Sequence, residues 1–407
     1  MTKSETVSKT ILGFLFSIVL FDMMGSTLLL TVQAFIVREY NTTALAVSLL
    51  VVIYAASLFF AAPILGRISD RYGRRPILLI CFLGSAVGYF IFGIGGSLWV
   101  LYVSRAIDGF TGGNFAIVQS YISDISGKSD RAKYLGLLGA ASGLGIVIGP
   151  VFGGLFSQIG LAMPVYIAGI FALIEIILCL VLLPESLPLD KRNRKTIKLN
   201  DVNPFKLIGG MLTRPVIGTL LIISGIVELV FDGATVNIPV YLIYKFNISP
   251  LELGLLTGFI GIILVIIQGG LIGKLSEKFS DKTLILMGLL IMATGFALFT
   301  LAPSLLWMIC ASAIFTIGLG ILLPILGAQL SKNVSSSEQG EMFGANSALL
   351  GLMAALGPLW AGLAYDAFTP TAPYWIGAIL LVFSVVLMVR LKIAPMQSTD
   401  KIELENT

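Results

Sequence analysis

GRISDRYGRR, running from Gly66 to Arg75, places one Asp and four Arg between two apolar runs, residues 45–65 and 76–95. At about 1.5 Å of rise per helical residue, each run spans the roughly 30 Å of a bilayer's hydrocarbon core. The decapeptide is therefore expected to be a tight turn between two membrane helices. Four guanidinium groups in so short a loop also set its side, because cationic loops stay cytoplasmic. Topology alone asks only for scattered Lys and Arg. A carboxylate flanked by guanidinium groups, with Gly66 before it and Gly73 after it, is more than topology requires.

Working outward, the composition fits a chain built mostly of such spans. Of 407 residues, 57% are hydrophobic and 12% charged, with a mean hydropathy of +0.98; soluble chains carry about 25% charged residues. The net charge of +4 is small and sits in loops, so it speaks for orientation and against nucleic-acid binding. Cys81, Cys179 and Cys310 each lie in an apolar run without paired spacing, and they read as small apolar side chains and not as disulfides or metal ligands. There is no His, which excludes imidazole relays and leaves any proton chemistry to carboxylates. The N-terminal MTKSETVSKT is short, polar and lacks a small-residue cleavage site, so the first apolar run is expected to be a retained span.

Breaking the sequence at charged or Gly/Pro/Asn turns yields twelve spans: 10–37, 45–66, 76–95, 98–123, 134–158, 162–183, 214–244, 252–274, 283–302, 304–330, 342–365 and 373–394. The basic residues fall on one side. Arg67, Arg71, Arg74 and Arg75, then Lys128, Arg131 and Lys133, then Lys191, Arg192, Arg194, Lys195 and Lys198, then Lys274, Lys278 and Lys282 all occupy even-numbered loops. The odd-numbered loops carry little beyond Arg38 and Lys245, so both termini of this multi-pass chain are expected on the cytoplasmic side of a cell membrane.

The polar segment 184–213 divides the chain into an N-terminal bundle, 1–183, and a C-terminal bundle with a short tail, 214–407. Its basic cluster reads as a topogenic linker, with contact to anionic lipid as a second possibility. The halves repeat. Gly66-Arg-Ile-Ser-Asp70-Arg returns as Gly273-Lys-Leu-Ser-Glu277-Lys, Leu98-Trp99 as Leu306-Trp307, and Gly149-Pro150 as Gly357-Pro358, at spacings of 207 or 208 residues. A parallel duplication of six spans places a substrate path near the midplane between the halves.

In the fifth span, Gly145, Gly149 and Gly153 are spaced by four and form a smooth groove on one helix face, followed by Gly154. Pro150 removes one backbone hydrogen bond and bends the helix. Small-residue packing alone would account for such a groove. The second half keeps Gly357, Pro358 and Gly362 but has Met353 where Gly145 stands, so the pattern belongs to the first half.

These features together resemble the major facilitator superfamily over essentially the whole chain. Gly66, Asp70, Arg71, Gly73, Arg74 and Arg75 match its loop signature G-x-x-x-D-R-x-G-R-[RK], and Gly145, Gly149, Pro150, Gly153 and Gly154 match its G-x-x-x-G-P-x-x-G-G signature. The resemblance implies an all-α membrane protein of twelve helices in two pseudo-symmetric six-helix bundles. In the family the fifth-span motif marks proton-coupled exporters, including the tetracycline and multidrug branches. The resemblance further implies that Asp70 docks at the start of span 11, near Glu341 to Gly344, when the cavity opens outward. Asp124, at the end of span 4, would pair with Arg71 or Arg74.

Ionisable groups inside spans cost about 2.5 to 3.5 kcal/mol each at the helix centre and are functional candidates by default. Asp22, Arg105, Asp108, Glu175, Glu228 and Asp232 are such groups. Arg105 and Asp108 share a helix face at a separation of three, as do Glu228 and Asp232 at four. The family resemblance puts spans 1, 4, 7 and 10 around the cavity, which favours Asp22, Arg105, Asp108, Glu228 and Asp232 over Glu175. Arg105 and Gly109 also match the family's span-4 R-x-x-x-G, where Asp108 replaces a Gln or small residue; a structural ion pair with Arg105 is the plain alternative for it. Glu228 and Asp232 have no cation in their own span, and Asp22 is either a further proton site or the substrate's counter-charge.

The resulting expectation is a proton-coupled exporter of a small amphipathic or cationic molecule, working by alternating access as a monomer without cofactor or metal. The alternative in the same fold is a proton symporter for a sugar or other nutrient. An enzyme is disfavoured, since neither a nucleophile with a base nor a metal-ligand set is visible.

Overall fold

The computed structural model describes residues 9–40, 42–127, 130–190, 192, 204–335 and 338–391. Lys128, the linker cations Lys191, Arg194, Lys195 and Lys198, and the tail beyond residue 391 lie outside the described residues. Among those described, the chain is helical without strands.

The N-terminal half comprises α1 (Lys9–Arg38), α2 (Ala44–Tyr72), α3 (Arg74–Ile94), α4 (Leu98–Thr111), α5 (Asn114–Ile125), α6 (Arg131–Phe156) and α7 (Met163–Leu182). After a short helix α8 (Pro204–Leu212), the second half holds α9 (Pro215–Phe246), α10 (Pro250–Ile266), α11 (Ile272–Lys278), α12 (Asp281–Thr300), α13 (Leu305–Lys332), α14 (Gln339–Ala367) and α15 (Ala372–Arg390). Eleven helical stretches are long and apolar enough to cross a membrane. The twelfth crossing is the α4–α5 pair.

Two spans depart from the uninterrupted helices expected of them. The span 98–123 breaks at Gly112-Gly113, so it is two helices in tandem. The physical cause is close packing: Tyr54 and Leu58 of α2 press on Gly112 and Leu65 on Gly113, where a Cβ would meet the Leu65 side chain at 2.8 Å. The eighth span carries a π-helical segment, Ile267–Leu271, between α10 and α11, at Gln268-Gly269-Gly270. The segment 184–213 is not wholly extended linker either, because α8 packs on α14 and α9, with Phe205 edge-on to Phe59 of α2 at 5.8 Å.

The repeated Ser-Leu-Trp neighbourhoods have a local role. Ser97 caps α4 by accepting the Val100 N–H, and Ser304 caps α13 by accepting the Trp307 N–H, so each half begins this helix with the same device. Within each half the helices pack pairwise, α1 along α6 and α7, α3 along α4 and α7, α12 along α13 and α15, and α9 along α14. Between halves the seams are α2 on α14 and α6 on α10.

Candidate functional site

The groove on α6 receives α1. A Cβ on Gly145 would meet the Met23 Cβ at 2.6 Å, one on Gly153 the Leu28 carbonyl at 3.2 Å, and one on Gly149 would run into the Thr27 hydroxyl. Gly154 faces the other half, with the Leu251 Cα 2.9 Å from where its Cβ would stand, and the Pro150 carbonyl abuts Gly254 of α10. Glycine at these positions therefore holds two different helices against α6.

The seam between halves is latched at one end by hydrogen bonds. Away from the arginine-rich loop, Asp366 of α14 accepts the N–H groups of Ala44 and Leu45 at 3.1 and 2.9 Å. Arg38 donates to Asn247 at 3.5 Å, and Ser48 lies against Gly362. Toward the arginine-rich loop the glycine contacts between α6 and α10, made at Gly254, Gly258 and Gly261, end. Gly136 and Gly143 on α6, and Gly269, Gly270 and Gly273 on the π segment and α11, have open space where a Cβ would be.

The Gly66–Arg75 stretch, expected as a tight turn, is instead the end of α2 and the start of α3 joined at Gly73 alone, and ion pairs hold this junction. Arg74 is buried, with Nη1 2.6 Å from Asp70 Oδ1, Nε 3.0 Å from Asp124 Oδ2, and a hydrogen bond from Nη1 to Ser69 Oγ at 2.7 Å. Of the two partners expected for Asp124, the structure uses Arg74; Arg71 lies over the Tyr72 ring at 5.4 Å. Asp70 is bound within its own turn, whereas Gly344 near the start of α14 faces Leu207 of α8. Gly66 has open space around it, and Gly73 takes φ +108°, a conformation that favours glycine.

One gate residue escaped sequence reasoning. Glu185 accepts the N–H of Arg74 at 2.8 Å and of Arg75 at 3.2 Å, capping α3, while Arg192 sits 3.9 Å from its other face. Its only sequence signal is being the sole acid at the end of span 6, in Pro184-Glu185-Ser186. Arg75 in turn donates to the carbonyl of Cys179 at 3.3 Å, satisfying the end of α7.

Deep in the N-terminal half, Arg105 and Asp108 form a buried ion pair at 3.1 Å, with the guanidinium 5.3 to 5.8 Å from the rings of Tyr54, Tyr89 and Phe92. Asp22 on α1 accepts from the Asn114 amide at 2.6 Å, which joins α1 to the break between α4 and α5. Glu175, set aside as peripheral on the sequence, is only 2% exposed. In the other half Glu228 and Asp232 are half-buried on α9, and the Asp232 Cβ lies 3.1 Å from where a Gly357 Cβ would stand. The Asp232 Oδ2 is buried without a hydrogen-bond partner among the described residues, and Trp360 of α14 donates to the Leu229 carbonyl one turn below. No group of three or more Cys, Asp or Glu suited to a metal occurs among the described residues.

Two bundles of membrane-length helices joined along the α2–α14 and α6–α10 seams, with ionisable groups buried inside the spans, have the architecture of a membrane transporter. The sequence profile of the Major Facilitator Superfamily matches residues 14–358 and again 221–405, and the chain belongs to that family. It is 32% identical over 372 residues to the class C tetracycline resistance protein of Escherichia coli, covering 91% of this chain and 92% of the relative. It is 27% identical over 367 residues to multidrug resistance protein 2 of Bacillus subtilis, covering 90% and 91%. Its fold is like that of the human organic anion transporter MFSD10 (TETRAN), with TM-score 0.70, 21% identity and coverage of 94% of this chain and all of the other. These are transporters and not enzymes.

Proposed function

We propose that this chain exports small amphipathic or cationic molecules in exchange for protons, by alternating access, as a monomer in the cell membrane with both termini cytoplasmic. The two moving bodies are residues 1–183 and 214–407, joined by 184–213. On this reading the arginine-rich face is cytoplasmic and the described state is open inward.

The observation that carries the proposal is the charge of the spans. Asp22, Glu228 and Asp232 have no cationic partner among the described residues, and Arg105 is engaged by Asp108. A cation entering this path meets carboxylates and no free guanidinium, and protons and cation compete for the same charge. The names of the relatives, tetracycline resistance and multidrug resistance proteins, support the class of substrate.

The test is a panel of toxic compounds, including tetracycline and lipophilic cations, scored for growth rescue in cells overexpressing the chain. Each hit is then followed in everted vesicles, where uptake should require an acidic interior and stop when a protonophore collapses the gradient. Uptake driven by a proton gradient of the opposite sense would establish symport instead.

A further inference from the structure

Glu175 stands outside the mechanism so far. It lies on α7, which packs on α1 and α3, and the Phe21–Phe171 ring stack at 5.0 Å holds α1 against α7 one turn away. Its side chain is buried, and its Oε1 has no hydrogen-bond partner among the described residues. Within their spans, the helices packed on α7 bring Asp22 on α1 and Cys81 and Tyr89 on α3, with Cys179 one turn along α7 itself; Arg105 and Asp108 lie on α4, which packs on α3.

The partners in this cluster are already assigned. Asp108 has Arg105, and Asp22 has the Asn114 amide. Glu175 is left with no cationic partner among the described residues, and its Oε1 with no hydrogen bond. An ionised carboxylate buried without a partner is among the costliest arrangements in a protein, whereas the neutral acid needs only ordinary hydrogen-bonding.

We propose that Glu175 is a proton-carrying residue of the N-terminal half, holding a proton in this inward-open state and releasing it when a cation occupies the path beside Asp22. The inference rests on the proton-exchange reading above. The O–H bond of the Glu175 carboxyl breaks, its proton passes by way of Asp22 to water in the cytoplasmic-facing path, and the carboxylate left behind is balanced by the charge of the bound cation. After the cation leaves on the far side, a proton from that side restores the neutral acid. Asp22, partly exposed on the neighbouring α1, is the positioning group for this exchange.

The experiment adds tetraphenylphosphonium to the purified, weakly buffered full chain and reads released protons with an indicator dye, with cation binding measured in parallel. Wild type should acidify the solution. Glu175→Gln should bind the cation within a few-fold of wild type but release roughly half as many protons per bound cation, since the Glu228/Asp232 pair still contributes. The same release from Glu175→Gln as from wild type overturns the inference while leaving proton exchange intact. A wild type that binds the cation without releasing protons overturns both. Should Glu175→Gln not be recovered as a monodisperse protein, Glu175→Asp takes its place: release should persist with a shifted pH midpoint, and an unshifted midpoint overturns the inference.

Discussion

The carboxylate of Asp366, near the end of α14, accepts the backbone N–H of Leu45 at 2.9 Å across the seam between the halves. It also takes the Ala44 N–H, so α14 caps α2, whose own N-cap residue Thr43 makes no side-chain cap. Asp70 near the end of α2 and Asp366 near the end of α14 thus occupy matching positions at opposite ends of one antiparallel helix pair. Asp366 is docked here and Asp70 is not.

Asp366→Asn should loosen this closed face. Hydrogen bonds to a charged group contribute about 1.5 to 3 kcal/mol, and a neutral amide recovers part of that, so roughly 1 kcal/mol, or about a five-fold change in population, is expected. A cysteine at Ser48, beneath the latch, should then react several-fold faster with an impermeant maleimide applied from outside. An unchanged labelling rate would show that Asp366 is not holding the face shut.

Asp70→Asn should act oppositely, cutting transport while leaving substrate affinity within a few-fold, because the residue serves the gate and not the substrate. Arg74→Lys should cut transport as well, since a single ammonium cannot reproduce the fork that reaches Asp70, Asp124 and Ser69 together. Binding and efflux measured on the same preparation separate the two effects; a large loss of affinity with normal cycling contradicts the assignment.

Gly149→Leu and Gly153→Leu should disable transport through packing. At both positions even a Cβ reaches α1, so a branched side chain must push the helices apart, and overpacking typically costs about 1 to 3 kcal/mol. Normal efflux by both variants would remove the physical basis for an exporter's role of this helix.

Neutralising Glu228, Asp232 and Asp22 together, to Gln, Asn and Asn, should abolish proton-driven efflux while permitting downhill exchange of substrate. Vesicles with and without a proton gradient distinguish these. Full proton-coupled efflux in the triple variant would show that none of these three carboxylates carries the coupling.

The pH dependence of transport should owe nothing to Glu338. Bonds from Ser335 and from Arg214, 2.8 Å away, hold its carboxyl down to about 2, against 4.5 ordinarily. Its contribution is complete above the ordinary value and is lost only as pH falls through about 2. Glu338→Gln should therefore leave the shape of the efflux profile unchanged between about pH 5 and 8, and a moved midpoint would contradict this.

Much of the architecture was legible in the sequence because bilayer physics acts locally: twenty apolar residues in a row form a helix whatever their neighbours. The duplication and the α6 groove were legible for the same reason, since Gly145, Gly149 and Gly153 share a face in any helix. Other features depend on what lies across a gap, and only the tertiary structure decided them. The break at Gly112-Gly113 follows from the approach of α2, and the choice of Arg74 for Asp124 from where α3 and α5 meet. Capping of α3 by Glu185 and of α2 by Asp366 joins residues 111 and 321 positions apart. Above all, spacing along α7 says that Glu175 lies in a span but not which way it points. Its burial results from α1 and α3 packing on α7, and a one-dimensional pattern carries no record of that.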